Sequence, residues 1–258
     1  MCAYKIPISC PLLFDSLTET KQMLITGDDD DQAPKMELLE RNGSSTICQA
    51  SSFKYPIDVY GASSALIGTT MVLCGGDRED SCYRFDKKNN QWTFLSKMNT
   101  PRRGSAAISI HNGVWITGGR DDGHNDLSST EFIFLNGTKK DGPSLPQPRS
   151  FHCLVQYKST IFLTGGFGGE RSIVIYRQVK ENIEEIGNGP DMTNDRRRHG
   201  CGIFHSSQHG GRPILVIAGG AGSATTSEHW DFTVPDSKWQ LSSKSYVVYF
   251  IFSQSFFI

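Results

Sequence analysis

A short apolar run that ends in Gly-Gly recurs along the 258-residue chain, and this repeat limits the possible folds more than any other feature. Four copies are complete, and a weaker copy precedes them; their first glycines are Gly27, Gly75, Gly118, Gly165 and Gly219. Successive copies therefore lie 43 to 54 residues apart. A spacing of this size is typical of stacked supersecondary units, each of which buries its apolar face against the next.

The unit around Gly118 shows what one repeat contains. A small apolar segment at 104–110 and a turn precede the strand that ends at Gly119, and a polar loop leads to a third strand at 131–135 and a short fourth strand. Four short strands separated by turn residues predict an all-β unit without helical periodicity. The Gly-Gly pair fits a strand end so close to a neighbouring sheet that a side chain has no room.

The order of residues in the repeat resembles the kelch motif of β-propellers: Gly-Gly, a polar loop, an aromatic residue, a later Trp, and then Pro and Arg. One unit matches throughout, with Gly75, Gly76, Tyr83, Trp92, Pro101 and Arg103 in that order. In the next two units Phe132 or Phe134, and then Tyr176, take the aromatic position. The residues expected to define the repeat are Gly75, Gly76, Tyr83, Trp92, Gly118, Gly119, Gly165, Gly166, Gly219, Gly220 and Trp239.

The resemblance implies an all-β, kelch-type β-propeller over residues 21–242, between an N-terminal extension (1–20) and a divergent C-terminal segment (243–258). Four full blades are predicted at 58–99, 100–146, 147–192 and 193–242. Residues 21–57 supply three strands of a partial blade, at Gln22–Gly27, Lys35–Leu39 and Ser44–Cys48. Pairing of the apolar run 246–252 with Met23–Gly27 would close a five-bladed ring and remove exposed strand edges. The alternative is a fragment of a larger propeller.

Charge and hydropathy exclude several partner classes. The net charge of −1 gives no electrostatic reason to bind nucleic acid. No apolar run reaches the roughly 18 residues that a membrane span requires.

The absence of a legible signal peptide favours a cytoplasmic location. Two glycosylation sequons, at Asn42 and Asn136, favour an extracellular one, although Asn-Gly is also the preferred pair for a tight hairpin turn.

The seven cysteines contain no CxxC pair and no zinc-ligand spacing, so no metal site is expected. Cys153 and Cys201 occupy matching places in neighbouring inner strands. They are expected to be either buried free thiols or a disulfide between two blades. The positions of Cys74 and Cys82, beside Gly-Gly and before the aromatic residue, resemble an extracellular kelch subset. The sequence therefore leaves two alternatives for the location of the protein, cytoplasmic and extracellular.

Antiparallel strands alternate in direction, so the loops after each Gly-Gly and the loops into each inner strand share one face. The kelch resemblance implies that this face holds a protein partner, and arginines there would bind the carboxylates of an acidic peptide. The candidate contact residues are Arg78, Arg102, Arg120, His124, Arg171, Arg196 and Arg197. Arginines at the start of the inner strands are expected to bond neighbouring blades instead; these are Arg103, Arg149 and Arg198.

The sequence is thus interpreted as a non-catalytic interaction module without a cofactor. The kelch resemblance implies roles such as substrate receptor or actin binder. The alternative is a secreted galactose-oxidase-like or carbohydrate-binding propeller. Its copper chemistry needs two His and two Tyr around the metal, and the seven histidines show no such cluster by spacing. His152 and His199 are expected to pack inside the propeller.

Overall fold

The computed structural model describes residues 22–29, 32–42, 45–50, 56, 60–86, 89, 91–206, 209–221, 226–241 and 256–257. Within these ranges the regular structure is β-strand, with no α-helix and therefore no helix able to cross a membrane. The predicted all-β class is confirmed.

The described strands form five four-stranded antiparallel sheets. In chain order the strands are β1 (Gln22–Asp29), β2 (Gln32–Asn42), β3 (Ser45–Ala50), β4 (Ser63–Ile67), β5 (Thr70–Cys74), β6 (Ser81–Asp86), β7 (Gln91–Lys97), β8 (Ala106–Ile110), β9 (Gly113–Thr117), β10 (Thr130–Phe134), β11 (Lys139–Asp141), β12 (Cys153–Tyr157), β13 (Thr160–Thr164), β14 (Ile173–Val179), β15 (Asn182–Asn188), β16 (Gly200–Ser206), β17 (Arg212–Ala218), β18 (Ser227–Trp230), β19 (Gln240–Leu241) and β20 (Phe256–Phe257). The sheet orders are β20–β1–β2–β3, β4–β5–β6–β7, β8–β9–β10–β11, β12–β13–β14–β15 and β16–β17–β18–β19. Consecutive four-stranded antiparallel sheets are the blades of a β-propeller.

The first sheet combines the two ends of the chain. Its strand β20 pairs with β1 through Phe257 opposite Met23 and Phe256 opposite Leu24. The run 246–252, expected to make this pairing, lies outside the described residues. A five-bladed closed ring therefore stays a prediction, with Phe256–Phe257 as the strand that pairs with β1.

The cores lie between blades, because the second strand of a blade is buried on both faces. Val114 and Ile116 pack with the preceding blade, whereas Trp115 between them packs with the following blade. All three side chains have no exposed surface. This arrangement explains why the run before Gly-Gly is apolar throughout rather than alternating. The inner strands β4, β8, β12 and β16 lie side by side in that order.

One assignment within the predicted repeat is wrong. Tyr83 pairs with Leu73, two residues before its Gly-Gly, whereas Tyr176 pairs with Ile161, four residues before its own. The two tyrosines are therefore not equivalent. Counting along the sequence misaligned them because the loops after Gly-Gly differ in length.

Each of the three junctions between the four full blades, where the structure describes side chains, contains one buried arginine: Arg102, Arg149 or Arg196. We call these three residues the anchor arginines. Their carbonyl oxygens accept hydrogen bonds from the second glycine of the preceding blade, at 3.1 Å from Gly76, 2.8 Å from Gly119 and 2.8 Å from Gly166. A Cβ on the first glycine would meet the same oxygen, at 2.5 Å for Gly75 and Gly165. The pair must therefore be glycine because the next blade approaches so closely.

The side chain of each anchor arginine points into the following blade. Its Nη1 donates to the first glycine carbonyl of that blade, at 2.7 Å to Gly118, 2.9 Å to Gly165 and 2.9 Å to Gly219. The guanidinium groups are 0–1% exposed. One arginine therefore connects two successive Gly-Gly pairs, by its backbone on one side and its side chain on the other.

Two anchor arginines are paired with a buried carboxylate and the third is not. Arg102 contacts Glu131 at 2.7 Å and Arg196 contacts Glu228 at 2.6 Å. The second oxygen of each glutamate accepts a backbone hydrogen bond, from Asn99 or from Thr193. In the blade of Arg149 the equivalent strand position is Val174. Arg149 binds Gly165, Gly169 and Ser172 instead, and burial lowers its pKa.

We predict that Gly118→Ala lowers the free energy of unfolding by about 3 kcal/mol, because the new methyl group meets the Arg149 carbonyl and the backbone is left-handed. Gly68→Ala is the matched control, since Gly68 is also left-handed (φ +58°) but has nothing within 4 Å of its added Cβ. That control is expected to cost about 1 kcal/mol. Urea unfolding measures both, and equal losses would contradict the close-approach explanation.

A second prediction concerns the buried ion pair. Glu228→Gln is expected to lower the unfolding free energy by about 3 kcal/mol or more, because the charge of Arg196 stays buried without its carboxylate. Lys97→Gln, which removes an ion pair with Asp80 whose lysine is 61% exposed, is expected to cost under about 1 kcal/mol. Similar urea midpoints for the two variants would show that the buried pair does not stabilise the blade junction.

Candidate functional site

The loops after Gly-Gly and the loops before the inner strands meet on one surface, as expected from the strand directions. We call residues 77–80, 101–105, 120–129, 148–152, 167–172 and 193–199 the loop face. Short β-bridges join its two kinds of loop: Arg103 with Arg120, Ser150 with Phe167, and Arg197 with Ala221. Each bridge joins the residue after an anchor arginine to the residue after a Gly-Gly pair.

A backbone relay crosses the blades at the start of the inner strands. Gly104 donates to the carbonyl of Gly61 at 2.7 Å, Phe151 to that of Gly104 at 2.6 Å, and Arg198 to that of Phe151 at 2.8 Å. We call these four residues the inner collar. All are left-handed, with φ between +55° and +69°.

Two members of the inner collar are not glycine, and this is unusual. A left-handed conformation costs a residue with a side chain roughly 1–3 kcal/mol and is found mostly at functional sites. Phe151 (φ +55°) is almost fully buried, and the guanidinium of Arg198 (φ +57°) lies 4.6 Å from its ring centroid. Other non-glycine residues, among them Asn112, Lys158 and Lys180, are also left-handed, so the contact of a buried ring with an arginine, rather than the backbone alone, marks this part of the loop face as a candidate site.

Phe167 packs beside Phe151 and extends the group of Phe151 and Arg198 into a larger cluster. The guanidinium groups of Arg120 and Arg197 lie 5.0 Å and 4.6 Å from its ring centroid. Its ring meets that of Phe151 edge-on, with centroids 6.0 Å apart. Three arginines thus stack on two phenylalanines, an arrangement that holds guanidinium planes in place.

Two carboxylates border the cluster. Asp126 accepts hydrogen bonds from Arg120 Nε (2.9 Å) and from Ser150 Oγ (2.6 Å). The hydrogen bond from Arg120 to Asp126 raises the pKa of the guanidinium. Arg103 forms an ion pair with Asp77 at 2.9 Å and contacts the His124 ring at 3.0 Å. Within the described residues Arg197 forms no ion pair.

The structure brings together only some of the predicted contact residues. Arg120, His124 and Arg197 belong to the cluster. Arg78 and Arg171 are exposed on neighbouring loops, where Arg171 Nε donates to the Met192 carbonyl at 2.7 Å.

Arg102 and Arg196, expected to contact a partner, are buried anchor arginines, and that prediction is corrected. Arg103, Arg149 and Arg198 were expected to bond neighbouring blades, and each of them does. Arg149 is an anchor arginine, Arg103 pairs with Asp77 of the preceding blade, and Arg198 lies on the Phe151 ring of the preceding blade. The side chains of Arg103 and Arg198 also reach the loop face. In the Arg102–Arg103 pair and in the run 196–198, the first arginine is the anchor. Its carbonyl oxygen is the one that accepts the hydrogen bond from the Gly-Gly pair of the preceding blade. The aromatic contribution of Phe151 and Phe167 was missed, although the position of Phe167 directly after Gly166 marks it as a loop-face residue.

The structure joins Cys153 and Cys201 in a disulfide between inner strands β12 and β16, with Cα atoms 6.1 Å apart. The two positions are offset rather than matching: Cys153 pairs with Thr164 and Cys201 with Ile217. The offset of one residue relative to Gly-Gly turns the two side chains toward each other, because side chains alternate between the faces of a strand. Cys74 and Cys82 form a second disulfide, within one blade.

His152 and His199 lie between blades, and each side chain is hydrogen-bonded to the threonine before Gly-Gly of the preceding blade. The Nε2 atoms are 2.7 Å from Thr117 Oγ1 and 2.8 Å from Thr164 Oγ1. Burial, and the charge of the adjacent anchor arginine, lower the pKa of each histidine to about 3. Within the described ranges no three His, Cys, Asp or Glu side chains are grouped as metal ligands.

These histidines predict a pH dependence of stability. The folded state keeps them neutral down to about pH 3, whereas the unfolded chain binds protons below pH 6.5. Their contribution is therefore unchanged above pH 6.5, and stability falls below it by roughly 3 kcal/mol per pH unit for the pair. Urea unfolding at pH values from about 7.5 down to about 5, on both sides of the unfolded-state pKa of histidine, measures this. A double variant, His152→Gln with His199→Gln, is expected to flatten the curve, and an unchanged slope would contradict the assignment.

Comparison with known proteins connects this architecture to one family. Residues 59–99 match the family model described as the Kelch motif. Kelch-like protein 41b of Danio rerio is 26% identical over 170 residues, which cover 62% of this chain and 28% of that protein. Kelch-like protein 25 of Xenopus tropicalis is 37% identical over 60 residues (22% of this chain, 10% of that protein), and beta-scruin of Limulus polyphemus is 26% identical over 159 residues (56% and 17%). The aligned region spans less than a third of each of these relatives.

A solved structure supports the same fold. The protein in the structure of YjhT superposes with a TM-score of 0.57 at 12% sequence identity, over 73% of this chain and 66% of that one. The repeated Gly-Gly, the four-stranded blades and the matched motif together lead to one conclusion: the chain has a kelch-type β-propeller fold and is similar to kelch-repeat proteins.

Proposed function

We propose that the chain is a non-catalytic interaction module whose loop face binds an acidic segment of a partner protein. The contact centre is the group formed by Arg120, Arg197 and Arg198 with Phe151 and Phe167. The observation that carries the proposal is the group of three guanidinium groups within 5.0 Å of two ring centroids, which includes Phe151 and Arg198 of the inner collar.

Local charge favours an acidic ligand although the whole chain is nearly neutral. Arg103, Arg120, Arg197 and Arg198 gather around two carboxylates, those of Asp77 and Asp126. Arg197 has no acidic partner within the described residues. The attraction for a carboxylate is local to this group of arginines, because the loop face as a whole also carries Glu79, Asp80, Asp121, Asp122, Glu170 and Asp195.

Stacking prepares the arginines for binding. Arg120 already binds Asp126 through Nε and Nη2, so Arg197 and Arg198, each 4.6 Å from a ring centroid, are the arginines that would bind a partner's carboxylate. Because the rings already restrain these side chains, less conformational entropy is lost on binding than for freely rotating arginines. The phenylalanines add apolar surface at the centre of the contact, as in protein interfaces with buried aromatic anchors.

The chemistry of the cluster favours recognition over catalysis. Arginine stays protonated at all physiological pH values, so it cannot act as a general base, and phenylalanine carries no reactive group. These side chains can hold charge and fill space. The kelch resemblance implies a protein partner for the same face.

We predict that Arg197→Gln with Arg198→Gln weakens binding of acidic peptides by about 10-fold or more, through loss of charge-assisted hydrogen bonds. A displayed library of short random peptides is first selected against the wild-type chain. The affinities of the recovered sequences are then measured by calorimetry at two salt concentrations.

Arg177→Gln serves as the matched control, because Arg177 is an exposed arginine on strand β14. It is expected to leave both affinity and melting temperature unchanged. Recovered peptides without Asp or Glu enrichment, or equal affinities for the double variant and the control, would overturn the proposal.

A further inference from the structure

We propose that Asn136 accepts an N-linked glycan and that the first N-acetylglucosamine packs on the ring of Phe134. The inference rests on the turn between β10 and β11, and it is independent of the loop face. Phe134, Asn136 and Thr138 alternate along this turn and line the same open recess.

The turn holds these residues in a defined geometry. Phe134 N–H donates to the Thr138 carbonyl at 2.9 Å, and Gly137 N–H donates to the Phe134 carbonyl at 2.9 Å. Gly137 has φ +85°, as the left-handed residue of a three-residue hairpin loop requires. Ser96 Oγ of the preceding blade donates to the Gly137 carbonyl at 3.0 Å and fixes the turn against its neighbour.

The acceptor amide is oriented by its own sequon. Thr138 N–H and Thr138 Oγ1–H both donate to Asn136 Oδ1, at 3.0 Å and 2.7 Å. These bonds direct Oδ1 toward the backbone and leave Nδ2, the atom that carries the sugar, without a hydrogen-bond partner among the described residues. Asn136 is exposed. An Asn-x-Thr sequence with an accessible Nδ2 is what N-glycosylation requires.

A recess beside the amide provides space for the first sugar. It has a volume of about 450 Å³ and is lined by Asn112, Phe134, Leu135, Asn136, Thr138 and Glu181. Phe134 is half-buried: it packs on the core, and its ring stacks with that of Phe132 at 6.4 Å between centroids. Lys140 Nζ lies over this ring at 5.9 Å from its centroid, and the part of the ring that borders the recess would meet the C–H face of a pyranose.

The reaction is a group transfer from a lipid-linked oligosaccharide diphosphate. A bond forms between Asn136 Nδ2 and C1 of the sugar, and the bond between C1 and the diphosphate oxygen breaks. The diphosphate leaves with the electron pair, and Nδ2 loses one proton. The disulfides Cys74–Cys82 and Cys153–Cys201 are consistent with the oxidising secretory compartment where this transfer occurs.

The position of the turn keeps a glycan away from the loop face. Strand β10 starts near Gly118 at the loop face and ends at Phe134, so its far end lies on the opposite side of the blade. The second sequon, Asn42-Gly43-Ser44, includes residues outside the described ranges, and the proposal does not extend to it.

The test expresses the full chain behind a cleavable secretion signal in a eukaryotic cell line. Glycopeptide mass spectrometry is expected to find Asn136 modified in the wild type. Asn136→Gln and Thr138→Ala are expected to lose the modification, and Phe134→Ala keeps the sequon. An unmodified Asn136, in cells that glycosylate a co-expressed control glycoprotein, would overturn the proposal.

Enzymatic trimming tests the contact with Phe134. One glycosidase leaves a single sugar on Asn136, and an amidase removes the whole glycan and leaves aspartate. The single-sugar form is expected to melt about 2–4 °C higher than the sugar-free form. This difference is expected to disappear in Phe134→Ala because the ring on which the sugar packs is missing. The sugar-free form carries aspartate in both backgrounds, so the aspartate does not account for the change. Phe134→Leu replaces that variant if the alanine form does not fold. A difference that persists without the ring would overturn the packing arrangement.

Discussion

The junction between blades depends on one buried arginine that binds two Gly-Gly pairs at once. Its carbonyl oxygen accepts from the preceding blade, and its guanidinium donates to the following one, as Arg149 does between Gly119 and Gly165. A blade has apolar surface on both faces and cannot stay soluble alone, so its stability requires a fixed distance to its neighbours. The arginine and the absence of a Cβ on the glycine together set that distance.

The loop face takes its geometry from the same junction. Since the anchor arginine is held on both sides, the residue that follows it bridges to the residue after the next Gly-Gly, as Ser150 does with Phe167. The side chains at these two positions are therefore brought together at every junction, whatever their identity. Function can change through them without any change in the residues that hold the blades, which is how repeat folds accommodate different sites.

The repeat, the all-β class and the position of the loop face could be predicted, because Gly-Gly and the strand lengths depend on backbone geometry that leaves a local pattern. The choice of Arg102 rather than Arg103 as the anchor could not. Both arginines fit the pattern, and only the distance from the carbonyl of Arg102 to Gly76 in another blade separates them. The stacking of Arg197 on Phe167 was missed for a similar reason, since the loops between them differ in length from blade to blade.

Departures from the repeat concentrate in the third and fourth full blades. Arg149 lacks the carboxylate that Arg102 and Arg196 have, and the inner collar carries Phe151 and Arg198 where other blades carry glycine. Both departures cost stability. The disulfide between Cys153 and Cys201 joins the two inner strands within three residues of the strained positions. A covalent bond at this junction restricts the unfolded chain and offsets strain in the folded one. A disulfide therefore lies beside the residues that depart furthest from the repeat, where it offsets the cost of these departures.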